Sequence, residues 1–135
     1  MTLTAAVALL DAIRGHLADF ELPELYSITI TRTWGEPNVT AQLACDTLPQ
    51  VAEALLAWVD TLTGPTIEAW RVPRCDTVHL SVIGHLSGGI RVAVYGGVAY
   101  TNHRNCIGRD LAPDASKSVS LSVLRERAIL GQVIL

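Results

Sequence analysis

The chain has 135 residues, half of them apolar and 17% charged, with a mean hydropathy of +0.35 and a formal net charge of −3. Such a composition excludes a disordered chain, and a chain of this length can hide roughly two-thirds of its unfolded surface without disulfides or metals. A single globular domain over residues 1–135 is expected. Its apolar runs are all broken well short of the roughly 20 residues that a membrane-spanning helix needs. Met1 to Leu10 lacks the basic start of a secretory signal, so a cytoplasmic chain without a membrane partner is expected. Three cysteines, Cys45, Cys75 and Cys106, are an odd number at wide spacing and suit reduced thiols. Charge is unevenly placed: residues 1–66 carry a balance of −6, residues 67–109 one of +3, and the remainder is neutral. That segregation suits self-association or a charged partner.

Thr4 is placed to cap a helix of about fourteen residues, in which Val7, Leu10, Ile13 and Leu17 recur at helical spacing, widened by Ala6 and Leu9. His16 falls on this helix as a solvated side chain. Leu25 to Thr33 then alternates, with Tyr26, Ile28 and Ile30 on one side and Ser27, Thr29 and Thr31 on the other. This is the pattern of a half-buried strand. Gly35 to Asn38 has turn chemistry, and Val39, Ala41, Leu43 and Cys45 continue as the second strand of a hairpin. Asp46 or Thr47 caps a second helix whose apolar face is Val51, Leu55, Trp58, Val59 and Leu62, and Gly64-Pro65 ends it.

A strand from Ile67 to Val72, a turn at Pro73 to Asp76 and a strand from Thr77 to Leu86 repeat the order of helix and hairpin. Ser87-Gly88-Gly89 is a tight turn. Ile90, Val92 and Val94 mark a further strand that Gly96-Gly97 closes or bends. The helix starts and the hairpin turns recur at similar spacing, which suggests an internal duplication. Residues 101–117 read as loop, and residues 118–135 as a C-terminal helix, with Leu121, Leu124 and Ala128 on one face, followed by an uncharged apolar tail. The fold class expected is α+β: a two-layer sandwich of order α-β-β-α-β-β-β with a C-terminal helix. Its sheet is mainly antiparallel, with the helices on one face.

Two constellations carry possible chemistry. Cys75, His79, His103 and Cys106, with His85 nearby, have the side chains zinc uses, although no Cys-x-x-Cys knuckle is present. Cys106 with His103 or His79 as base, oriented by Asp76 or Asp110, is the nucleophilic alternative. Both glycine pairs flank strands rather than open a helix, so no nucleotide cofactor is implied. Arg71, Arg91 and Tyr95 with Trp70 on the open sheet face would suggest single-strand nucleic-acid binding, but Trp70 and Arg71 occupy opposite pleats, so all four cannot share a face, and the chain is acidic overall. A small Cys/His enzyme, a metal-binding protein and a nucleic-acid binder are therefore secondary readings.

The opening Thr2-Leu3-Thr4-Ala5-Ala6, the segment Asp76 to Val82 and the segment Gly88 to Tyr95 resemble those of small accessory proteins of actinobacteria, their phages and mobile elements, over about residues 1–100. No catalytic residues carry over from that resemblance, which implies a cytoplasmic accessory protein of a high-GC bacterium or its phage. The function expected is a non-enzymatic protein-interaction or regulatory module, without a cofactor, that pairs with a second copy or another protein. It would join through an exposed sheet edge, the open sheet face or the apolar tail. The interface candidates are Trp34, Trp70, Arg71, Arg91, Tyr95, Leu130, Val133, Ile134 and Leu135.

Overall fold

A computed structural model describes residues 2–33 and 36–133. The fold is α+β, with four helices and one six-stranded, mostly antiparallel sheet. In chain order the elements are α1 (Leu3–Asp19), β1 (Leu25–Thr33), β2 (Glu36–Leu43), α2 (Leu48–Val59), β3 (Thr63–Arg71), β4 (Thr77–His85), β5 (Arg91–Ala99), α3 (Tyr100–Ile107), β6 (Ser116–Ser118) and α4 (Leu121–Val133). The sheet order is β1-β2-β5-β4-β3-β6. β2 and β5 run parallel, and every other neighbouring pair is antiparallel.

Strand alternation builds the core. On β4 and β5, Val78, Leu80, Val82, Gly84, Val92, Val94, Gly96 and Val98 are buried, and the residues between them are half-buried or exposed. Val39, Ala41 and Leu43 of β2 continue the buried face. α2 lies across it with Val51, Ala52, Ala54, Leu55 and Trp58 buried, and α4 packs along α2 through Leu124 and Ala128. The Thr47 hydroxyl accepts from the Gln50 amide and caps α2, as the sequence suggests.

Several expectations change. Thr2, not Thr4, caps α1, its hydroxyl accepting from the Ala5 amide, and the helix runs through Gly15 to Asp19. The apolar line that anchors α1 is Leu9, Ile13 and His16, while Val7 and Leu10 are exposed. α2 ends at Val59, before Gly64-Pro65; Gly64, at φ +61°, instead lies in the irregular start of β3. Gly96-Gly97 does not close β5, which continues to Ala99. A Cβ on Gly96 would lie 2.8 Å from Val51 Cγ2, so the missing side chain lets α2 sit close on the sheet.

The segment 101–117, read as loop, contains most of α3 and the start of β6. Asp76, in the β3–β4 turn, builds the start of α3: its carboxylate accepts from the Thr101 amide (3.0 Å) and hydroxyl (2.7 Å), and its carbonyl accepts from the Tyr100 amide. Tyr100 is buried, and its hydroxyl lies 2.7 Å from the Gly108 carbonyl and 3.0 Å from that of Arg109. The chain then returns to the sheet as β6, paired with β3.

Candidate functional site

The metal and nucleophile candidates are engaged separately. His79 stands on the polar sheet face, stacked on Tyr95 at 4.5 Å and edge-on to Trp70 at 5.4 Å between ring centroids. Burial lowers its pKa below the ordinary histidine value. His103 is in α3, lowered likewise by burial and by the Arg127 charge. Cys106 directs its S–H at the carbonyl of His103, 3.3 Å away across the kink that His103 makes in α3 (φ −129°, ψ 17°), rather than at an imidazole. Cys75 is exposed in its turn, and His85 is exposed at the end of β4. Among the described residues no three His, Cys, Asp or Glu side chains come together to hold a metal ion. Asp76, offered as an orienting group, is occupied at the start of α3. Cys45 lines two clefts, of about 430 and 290 Å³, and burial pushes its thiol up, which disfavours the thiolate.

The polar sheet face holds Trp70, Arg91 and Tyr95 together, each tied by a side-chain bond. Trp70 donates to Asp114 (3.0 Å), Tyr95 to Gln42 (3.3 Å) and Arg91 to Asn38 (3.1 Å). Arg71 points the other way, donating to the Leu111 carbonyl at 2.9 Å with its guanidinium 4.3 Å from the centre of the Tyr100 ring. It fastens the segment after α3 to β3, a packing role. Of the tail candidates, Leu130 is exposed on α4 beside exposed Ile129. Trp34, Ile134, Leu135 and the side chain of Val133 lie outside the described residues.

The feature that stands out is the pair of sheet edges. One ends in β6, three exposed residues with Lys117 at the centre, which is how natural sheets blunt an edge. The other is β1, whose sequence LYSITITRT has no proline or lysine and is rich in β-branched residues. Its one irregularity is a register shift between Leu25 and Ser27. β1 uses one flank to pair β2, and among the described residues no strand lies beside the backbone groups of its other flank.

Register places Ile28 and Ile30 on the helix-bearing side, opposite Ala41 and Val39, yet Ile28 is 41% exposed. Tyr26 is 76% exposed. α1 rests mainly on β2. At about 100° per residue, its buried line (Leu9, Ile13, His16) has Ala12, Gly15 and Asp19 on one flank and Ala6, Leu17, Leu10 and Leu3 on the other. The first flank lines a cleft with Leu86 and Ser87, at the β4–β5 turn, and so faces the middle of the sheet. The second flank therefore faces outward, past β1, and there Leu3 is 87% exposed and Leu10 53%; Val7, 54% exposed, lies farther round the helix beyond Arg14. On that flank Leu17 is packed against the core, whereas among the described residues Leu10 and Leu3 stay largely uncovered. The sequence signals were present in the strand alternation and helical spacing, but neither shows which part of an apolar sector its own chain covers.

No protein-family model, curated protein or solved structure matches the chain. Among the described residues no helix is long and apolar enough to cross a membrane.

Proposed function

We propose that this chain is a non-enzymatic protein-interaction module that self-associates through β1 and the outward flank of α1, in the kind of accessory role its resemblance to actinobacterial and phage proteins implies. The observation that carries the reading is the coincidence of a β-branched edge strand, regular from Ser27 to Thr33, with the exposed apolar side chains of α1 beside it. An edge alone offers backbone hydrogen bonds to any extended segment, and an apolar helix flank alone offers area; together they give strand addition with a hydrophobic backing. The sheet's other edge is short, polar and lysine-bearing. The interaction is therefore directed to one side of the molecule.

Sedimentation and light scattering on the full chain test this. The wild type is expected to show a mass above the 14.5 kDa of one chain at tens of micromolar. Leu10→Asp and Ile28→Lys, each at an exposed position, should reduce it to the single-chain mass while leaving the far-ultraviolet circular dichroism unchanged. A wild type that stays at the single-chain mass, or an assembly indifferent to either substitution, would overturn the reading.

A further inference from the structure

Resting on that reading, we infer that the partner of β1 is β1 of a second copy, paired antiparallel about a two-fold axis through Thr29. The central segment Ser27-Ile28-Thr29-Ile30-Thr31 is the same in chemical class read in either direction. With Thr29 opposite itself, Ile28 meets Ile30 of the partner subunit on the helix side, and Ser27 meets Thr31 of the partner subunit on the polar side. Faces match only when the two numbers of every opposing pair add to an even value, because a one-residue slip carries each side chain to the other face. Centring on Thr29 meets that condition. It also sets β-branched residues against one another, the pairing that stabilises a sheet, and places no like charges opposite within the strand.

The same axis, perpendicular to the sheet, keeps the helix layers of both copies on one side. It brings the outward flanks of the two α1 helices toward each other over the new strand pair, so Leu3 and Leu10 acquire their own two-fold equivalents as neighbours. A closed two-fold contact also consumes the free edge on both copies and leaves only the two β6 edges, both polar. The product is a continuous twelve-stranded sheet that cannot grow further. A foreign strand would satisfy the backbone of β1 equally well. It would not supply the palindromic side chains or the second apolar helix flank, and that favours a second copy as the occupant.

Cysteine cross-linking tests the register. In a Cys75→Ser background, which removes the exposed native thiol, Thr29→Cys should give a covalent dimer on mild oxidation, because opposing Cα atoms in an antiparallel pair lie within disulfide reach in either type of pair. Ser27→Cys alone and Thr31→Cys alone should not, while an equilibrated mixture of the two should. If the wild type assembles and Leu10→Asp disrupts it, but Thr29→Cys does not cross-link or Ser27→Cys cross-links to itself, the two-fold register is wrong and the edge reading survives. If the wild type is monomeric, or its assembly ignores Leu10→Asp, both fall together.

Discussion

His16 shows how one side chain records what periodicity hides. It lies on the buried line of α1, 9% exposed, stacked against Trp58 at 5.6 Å between ring centroids. The Thr61 hydroxyl donates its single proton to the Trp58 carbonyl (2.9 Å), so at 2.9 Å from His16 Nε2 it accepts, and Nε2 carries the proton of a neutral ring. Burial lowers the pKa below its ordinary 6.5, with the Asp19 charge opposing. The unfolded chain therefore takes up a proton more readily than the folded one. The stability that neutral His16 contributes is fully present above about pH 6.5 and is lost as pH falls through 6.5 toward the folded value. His79 and His103 are lowered as well and act in the same direction. His16→Gln is expected to flatten the fall in urea-unfolding free energy between about pH 7 and pH 5. An unchanged slope would mean that His16 protonates as freely in the folded chain as in the unfolded one. A histidine on an amphipathic helix reads as solvated because its partner, Thr61, is 45 residues away and invisible to spacing.

At the scale of elements, the five long strands and the long helices were legible, and α3 and β6 were not. β4 and β5 announce themselves through alternation, and α2 through a broad apolar face with a threonine cap. α3 is eight residues long and mostly polar, and no side chain of its own segment caps it; Asp76, 25 residues earlier, bonds its first turn. Its stability is tertiary, which single-sequence pattern cannot carry. Gly96 is a second case: its glycine pair reads as a strand end, whereas the structure uses the absent Cβ for the approach of α2. Added there, a Cβ meets Val51 Cγ2 at 2.8 Å, Val51 Cγ1 at 3.0 Å and Leu43 Cδ1 at 3.3 Å, all in fully packed surroundings. Gly96→Ala is therefore expected to cost about 1–3 kcal/mol by overpacking. Val51→Ala in the same chain should restore part of that loss, a coupling that a double-mutant cycle in urea reads directly. Additive losses would place the strain elsewhere than between α2 and β5.

For the whole molecule, stability is unevenly distributed in a way that follows from how α1 is held. α2 packs on the sheet and along α4, with Leu55, Val51 and Trp58 fully buried, while α1 buries only Leu9, Ile13 and His16, with Ala12 and Leu17 partly buried beside them, and presents Leu3, Val7 and Leu10 to solvent. In a lone chain, α1 and β1 should open locally at much lower free energy than α2 and β4, since few buried apolar contacts resist their release. Pairing through β1 covers those same residues, so assembly should protect this corner and leave the centre unaffected. Amide hydrogen exchange on the wild type at high and low chain concentration separates the two contributions. Protection in α1 and β1 is expected to fall steeply on dilution, and to be low at all concentrations in Leu10→Asp, with α2 and β4 constant throughout. Protection of α1 equal to that of α2 and independent of concentration would show that the first helix is held by its own chain alone, and that its exposed leucines and valine have no partner to wait for.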